Sequence, residues 1–272
     1  MKVERYSPLA AFFGLIGNRT LNILESLGAV SKMLASTFRQ LFRPPFEFRL
    51  LLDQLYNVGV GSLSIVIVTG IVTGMLLAVG TYYQMRRFAA EGLMGGVVAM
   101  ATIKELGPIL TATVLSSRIG ASITAELGVM RVTEQIDAME AMAVNPIKYL
   151  VVPRLLACTI MLPILTAFSD CLAILGGMGT STLLFGLNPR FFLQQAKSAI
   201  HLNDLIVGIV KSACFGMAIA TISCYKGLAV NPAEGAEGVG RATTGSAVVS
   251  FMVVLIIDFM IDQAIHGVVG MR

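Results

Sequence analysis

The sequence contains no tryptophan and only two histidines, and charged residues make up 13% of its 272 positions. Soluble domains average about 25% charged residues, so water is not the main solvent for this chain. The four cysteines, Cys158, Cys171, Cys214 and Cys224, lie in or beside hydrophobic stretches with no Cys-x-x-Cys spacing. That pattern reads as buried inert thiols rather than a disulfide framework or a metal centre. No Gly-x-x-x-x-Gly-Lys-[Ser/Thr] phosphate loop is present. The glycine-rich run from Gly235 to Gly240 follows no strand, which weakens a dinucleotide reading. His201 and His266 stand too far apart to suggest a triad or a zinc site. Enzymatic readings fall away, and no cofactor is expected in this chain. The net charge of +4 is carried beside apolar runs rather than in a separate patch, so nucleic acid is not an expected partner.

What is abundant is hydrocarbon: 56% of the residues are hydrophobic and the mean hydropathy is +0.80. A bilayer core about 30 Å thick takes roughly 20 apolar residues of helix. Five stretches meet that length: Gly61–Tyr83, about 93–117, about 155–185, about 205–225 and about 246–269. The start of the chain lacks a signal-peptide pattern and is expected to be retained in the cytoplasm. With that end inside, thirteen Lys and Arg fall on inner segments and five on outer ones, which places the C-terminus outside. Before the first span, Leu21, Leu24, Leu27, Val30, Met33, Leu34, Phe38 and Leu41 recur at helical spacing. An amphipathic helix on the inner leaflet fits residues 1–45, ended by Pro44-Pro45. Residues 46–272 then form the membrane domain. Gly70-x-x-x-Gly74 and Gly92-x-x-x-Gly96 allow close helix approach, with a substrate role as the alternative.

Two features exceed what five spans need. Between the second and third spans, Thr133–Met142 reads as a short helix with Pro146 stopping the run and Thr243 or Thr244 capping the fifth span later on. Glu134, Asp137 and Glu140 make one side acidic, and Met130, Ile136, Met139 and Met142 supply soft apolar contacts. Such a helix suits a groove on a cytoplasmic partner, although an ordinary solvated loop helix fits as well. The second feature is charge inside the spans: Glu105, Lys211, Asp258 and Asp262, with His266 continuing the i, i+4, i+8 stripe. At 1.5 Å per residue Glu105 is expected about 18 Å below the outer surface and Lys211 about 9 Å below it. These residues suggest a polar cavity opening outward; structural pairing of Lys211 with a carboxylate is the alternative.

The runs Lys104-Glu105-Leu106-Gly107-Pro108, Arg118-x-Gly120, Thr124-Ala125-Glu126-Leu127-Gly128-x-Met130-Arg131-x-Thr133-Glu134-Gln135 and Met139-Glu140-x-Met142-Ala143-Val144-Asn145-Pro146 resemble the MlaE (YrbE) permease family. Gln54–Gly59, Lys211-Ser212 and Arg241–Thr244 extend the likeness over about residues 50–265. The resemblance implies an all-α integral membrane protein: an N-terminal amphipathic interfacial helix, five transmembrane helices and a cytoplasmic coupling helix between the second and third. It also implies a homodimer at the centre of an ABC transporter moving phospholipid between inner and outer membranes. ATP and Mg would be used on a cytoplasmic ATPase subunit, with a STAS-domain subunit inside and a periplasmic MCE-domain ring outside. The coupling residues would be Arg131, Glu134, Gln135, Asp137, Met139 and Glu140, and the lipid pathway Glu105, Lys211, Asp258 and Asp262. Asn145 stands where Asp is common in relatives. A non-transporting scaffold that anchors an ATPase to the ring is the alternative of a different class.

Overall fold

The computed structural model describes residues 8–41 and 48–269, with a few side chains inside the terminal helices excepted. The expected break at Pro44-Pro45 and the side chain of His266 lie outside the described residues. Every regular element among the described residues is helical, as a chain that must satisfy its backbone polar groups inside lipid requires. The helices are α1 (Pro8–Leu41), α2 (Phe48–Gly59), α3 (Leu63–Arg86), α4 (Met94–Ala101), α5 (Gly107–Leu115), α6 (Ala121–Val132), α7 (Gln135–Ala141), α8 (Val152–Phe185), α9 (Pro189–Ala199), α10 (Leu202–Leu228) and α11 (Gly235–Val269).

They group into five rods long and apolar enough to cross a membrane: Phe48–Arg86, Glu91–Val132, Ile147–Phe185, Leu202–Leu228 and Pro232–Ile265. Each rod extends beyond the apolar run seen in the sequence, because helix geometry continues into water after the hydrocarbon ends. The first rod is α2 and α3 joined by a tight turn at Val60–Ser62, so Phe48–Gly59 is helix rather than a linker. The second rod is α4, α5 and α6 joined through wide π turns at Thr102–Leu106 and Ser116–Gly120. In the fifth, α11 begins at Gly235, so Thr243 is eight residues inside the helix, donating its hydroxyl to the Val239 carbonyl at 2.7 Å, and does not cap the helix start.

Packing rests on small residues, since lipid tails give helices no hydrophobic reason to associate. The α3–α8 contact is the most extensive. A Cβ at Gly70 would meet the Ser169 carbonyl at 2.9 Å, and one at Gly74 would run into the Ala173 backbone. The second pair serves a different neighbour: Gly92 faces Phe191 and Gly96 faces Ala199, both on α9. This amphipathic helix, absent from the sequence reading, lies along α4 and buries Phe192 and Ala196. The main core gathers Leu115, Leu127, Leu162, Leu165, Phe215 and Ile219 from α5, α6, α8 and α10. Buried hydroxyls are returned to their own helices, for example Thr102 to the Val98 carbonyl at 2.8 Å and Ser181 to Gly177 at 2.6 Å. Of α1, Met33 and Thr37 are buried against the bundle, while Leu21, Leu24 and Leu27 are exposed.

Candidate functional site

The second rod needs an explanation at Lys104-Glu105, where two charges sit within an apolar helix. The π turn at Thr102–Leu106 widens the helix there, and such turns re-aim side chains at functional positions. Glu105 is thereby directed towards α10. Gly107 follows, and a Cβ at that position would collide with the Asp170 carboxylate of α8.

The meeting point is Lys211 on α10, whose side chain is wholly buried. Its Nζ lies 3.0 Å from Glu105 Oε2, 3.1 Å from Asp258 Oδ1 and 2.5 Å from Asp262 Oδ1. The Lys104 carbonyl accepts a further hydrogen bond from Nζ at 3.3 Å. The four charged residues selected from the sequence are therefore one cluster, drawn from three rods. The depth estimates of about 18 and 9 Å for Glu105 and Lys211 are corrected by this contact: the rods begin at different levels, so counting from each apolar edge misplaced the two relative to each other. The cluster is graded in exposure, with the Asp258 side chain 13% exposed, Asp262 27% and Glu105 47%.

Sequence reasoning left Asp204 out. It accepts an ion pair from Lys104 at 3.0 Å and adds a second pair at the rim. Asp204 precedes Lys211 by seven residues, which is two helical turns and hence the same face of α10, so the signal was present in the spacing. Beside this rim, Leu93, Val97, Met100, Lys104, Glu105 and Gln195 line a groove of about 500 Å³. Its walls are largely apolar, and Lys104 and Glu105, the exposed edge of the ion cluster, supply its charge.

At the opposite end of the second rod the chain turns through Thr133 and Glu134 into α7. Glu134 takes φ +58° at the turn. Arg131, on the last turn of α6, forms an ion pair with Asp137 on α7. Glu134, Gln135, Asp137 and Glu140 are exposed. The apolar side is different from the expectation: Ile136 is buried in the main core and Met139 packs against it, so both anchor α7. Their i, i+3 spacing is an inward stripe, and Met142, 68% exposed, is the methionine that faces outward. Pro146 does not stop α7. The helix ends at Ala141, Ala143 adopts φ +59°, and Pro146 begins the third rod. Asn145 caps that start, its Oδ1 accepting from Ile147 N at 3.0 Å.

Five apolar rods around a buried ion cluster, with a short helix held out at one end, define a multi-pass membrane protein of the permease type. The chain belongs to the MlaE permease family, whose "Permease MlaE" description matches residues 51–264. It is 37% identical over 248 residues to a probable ABC transporter permease protein of Rickettsia bellii, covering 91% of this chain and 95% of that one. A protein of the same description from Synechocystis is 36% identical, covering 88% of this chain and 90% of the relative. One from the red alga Porphyra purpurea is also 36% identical, at 83% and 85% coverage. The chain is thus a permease of an ABC-type system, a class that works with a separate ATPase subunit.

Proposed function

We propose that this permease moves phospholipid between the inner and outer membranes, energised by a cytoplasmic ATPase subunit that binds ATP and Mg. One observation carries the reading. A groove with apolar walls carries Lys104 and Glu105 in its lining, and Glu105 is the exposed member of a charged cluster with Lys211, Asp258 and Asp262 within the membrane-spanning rods. Ionised groups at such depth are costly and are kept where polar cargo or water is handled. An amphiphile matches both parts: acyl chains along Leu93, Val97 and Met100, and a polar head at the cluster.

The assembly proposed around it is a homodimer in the inner membrane, with the N-terminus cytoplasmic and the C-terminus periplasmic. α7 offers Glu134, Gln135 and Glu140 to the ATPase, with Arg131 and Asp137 holding the helix in place. A STAS-domain subunit on the cytoplasmic side and an MCE-domain protein on the periplasmic side complete the machine. The experiment is lipid transfer by the complex reconstituted with its ATPase into vesicles. Glu105→Gln and Asp258→Asn together should abolish ATP-dependent transfer while the ATPase remains bound. Full transfer by that double variant would leave the cluster as a packing device and favour the scaffold reading.

A further inference from the structure

A second polar site lies towards the end of the bundle that carries α7. The π turn at Ser116–Gly120 places Arg118 opposite the tight turn at Val60–Ser62. Arg118 Nη1 donates to Ser62 Oγ at 2.6 Å. Among the described residues no carboxylate lies within ion-pair distance of Arg118. A guanidinium has five N–H donors, and among the described residues Ser62 is the one hydrogen-bond partner of Arg118. The rest face a cavity of about 320 Å³ lined by Gln54, Asn57, Gly61, Arg118, Ser122 and Glu126. Gly61 keeps the space open, since a Cβ there would stand 2.8 Å from Arg118 Nη2.

The lining has one acid, and it is already neutralised. Glu126 Oε2 accepts from Arg154 Nη2 at 3.0 Å, and Glu126 Oε1 accepts from Ser122 Oγ at 3.2 Å. Arg118 therefore leaves the cavity with one unbalanced positive charge, flanked by the neutral amides of Gln54 and Asn57. Depth adds the second argument. Leu93 to Arg118 along the second rod, and Gly61 to Arg86 along the first, each measure about 37 Å at 1.5 Å per residue. A stretch of that length exceeds a hydrocarbon core about 30 Å thick, so a charged Arg118 at its end fits the level of lipid headgroups better than the core. An arginine fork with adjacent donors is the usual recognition chemistry for phosphate oxygens.

We propose that this cavity binds the phosphate of a membrane lipid headgroup, held by Arg118 with the amides of Asn57 and Gln54 beside it. The site is separate from the Lys211 cluster and stands whether or not that cluster conducts lipid. Native mass spectrometry of the purified chain, released from micelles containing dioleoyl phosphatidylglycerol, counts retained lipid. Dioleoylglycerol, which has the same chains and no phosphate, is the control. Arg118→Gln should lower phosphatidylglycerol retention about tenfold, the scale of one lost charge-assisted contact, and leave dioleoylglycerol retention unchanged. Ser122→Glu, which keeps the Arg118–Ser62 bond and puts a carboxylate into the cavity, should produce the same loss. Arg118→Lys should retain an intermediate amount, because it keeps the charge without the fork. Equal phosphatidylglycerol retention by the wild type and both loss variants would overturn the proposal. Displacement of the lipid by millimolar inorganic phosphate would also overturn it, assigning the cavity to soluble phosphate compounds.

Discussion

Lys211 Nζ on α10 and Asp262 Oδ1 on α11 are 2.5 Å apart, far from the turn that joins the two helices. Seventeen residues separate Lys211 from the end of α10 at Leu228, about 25 Å of helix. The pair therefore clasps the open end of a long antiparallel hairpin, and Asp258 one turn earlier adds to the clasp. Glu105 joins from a different rod and with much greater exposure. The same lysine thus has two kinds of partner: acids that close the hairpin and an acid that faces the groove.

Different variants should separate those roles. Lys211→Met removes the buried cation beside Asp258, whose side chain is 13% exposed, and breaking a buried pair costs about 3–5 kcal/mol. It should lower the melting temperature of the purified protein clearly. Glu105→Gln, at the exposed edge, should leave melting nearly unchanged while reducing lipid transfer. Equal melting loss in both would tie Glu105 to the clasp alone.

Reversing charge on α7 should release the ATPase. Glu134→Arg with Glu140→Arg changes two exposed side chains, so folding and insertion should be retained. Like-charge contacts across a desolvated interface cost several kcal/mol. Co-purification of the ATPase at wild-type yield would exclude α7 as the docking element.

Close approach of α3 and α8 makes Gly74 intolerant of any side chain. Gly74→Val should reduce stability by at least about 1–3 kcal/mol, the usual cost of overpacking, and lower the yield of folded protein. Gly80 on the same helix has nothing within 4 Å of its Cβ position, so Gly80→Ala should be tolerated. Detergent-extracted yield and thermal melting of the two variants check the contrast.

Backbone conformation predicts one stabilising change. Ala143 is held at φ +59° after α7, a region that costs an L-residue roughly 1–2 kcal/mol. Ala143→Gly relieves that cost and should raise the melting temperature modestly. A fall in melting temperature would show that the entropy gained by the unfolded chain outweighs the relief.

Topology can be tested with cysteines introduced into a cysteine-free background. An impermeant thiol reagent should label a cysteine at Gln194 on α9 from outside intact cells. A cysteine at Glu140 on α7 should react only after permeabilisation. The reverse pattern would invert the membrane orientation.

Five spans were legible because each carries an apolar run longer than a globular core requires. Glu105, Lys211, Asp258 and Asp262 were legible for the opposite reason: a charge in such a run is conspicuous. Their convergence was not, since the distance between rods depends on packing at positions such as Gly70, Gly74 and Gly107. α9 escaped notice because its eleven residues mix polar and apolar side chains and are too short to span. The face of α7 was also hidden. Exposed methionines and buried methionines share one composition, and only the packing of Ile136 and Met139 on the core distinguishes them from Met142. Pro146 was read as a terminator because proline ends helices as readily as it begins them.

The two wide turns in the second rod give it the mechanics of a jointed shaft. α6 is fixed to α7 by the Arg131–Asp137 pair, and the Thr102–Leu106 turn bears directly on Lys211 through Glu105 and the Lys104 carbonyl. Between them α5 is a nine-residue link with a π turn at each end. Any movement of α7 relative to the ion cluster would have to be taken up at these two turns, where the helix is widened.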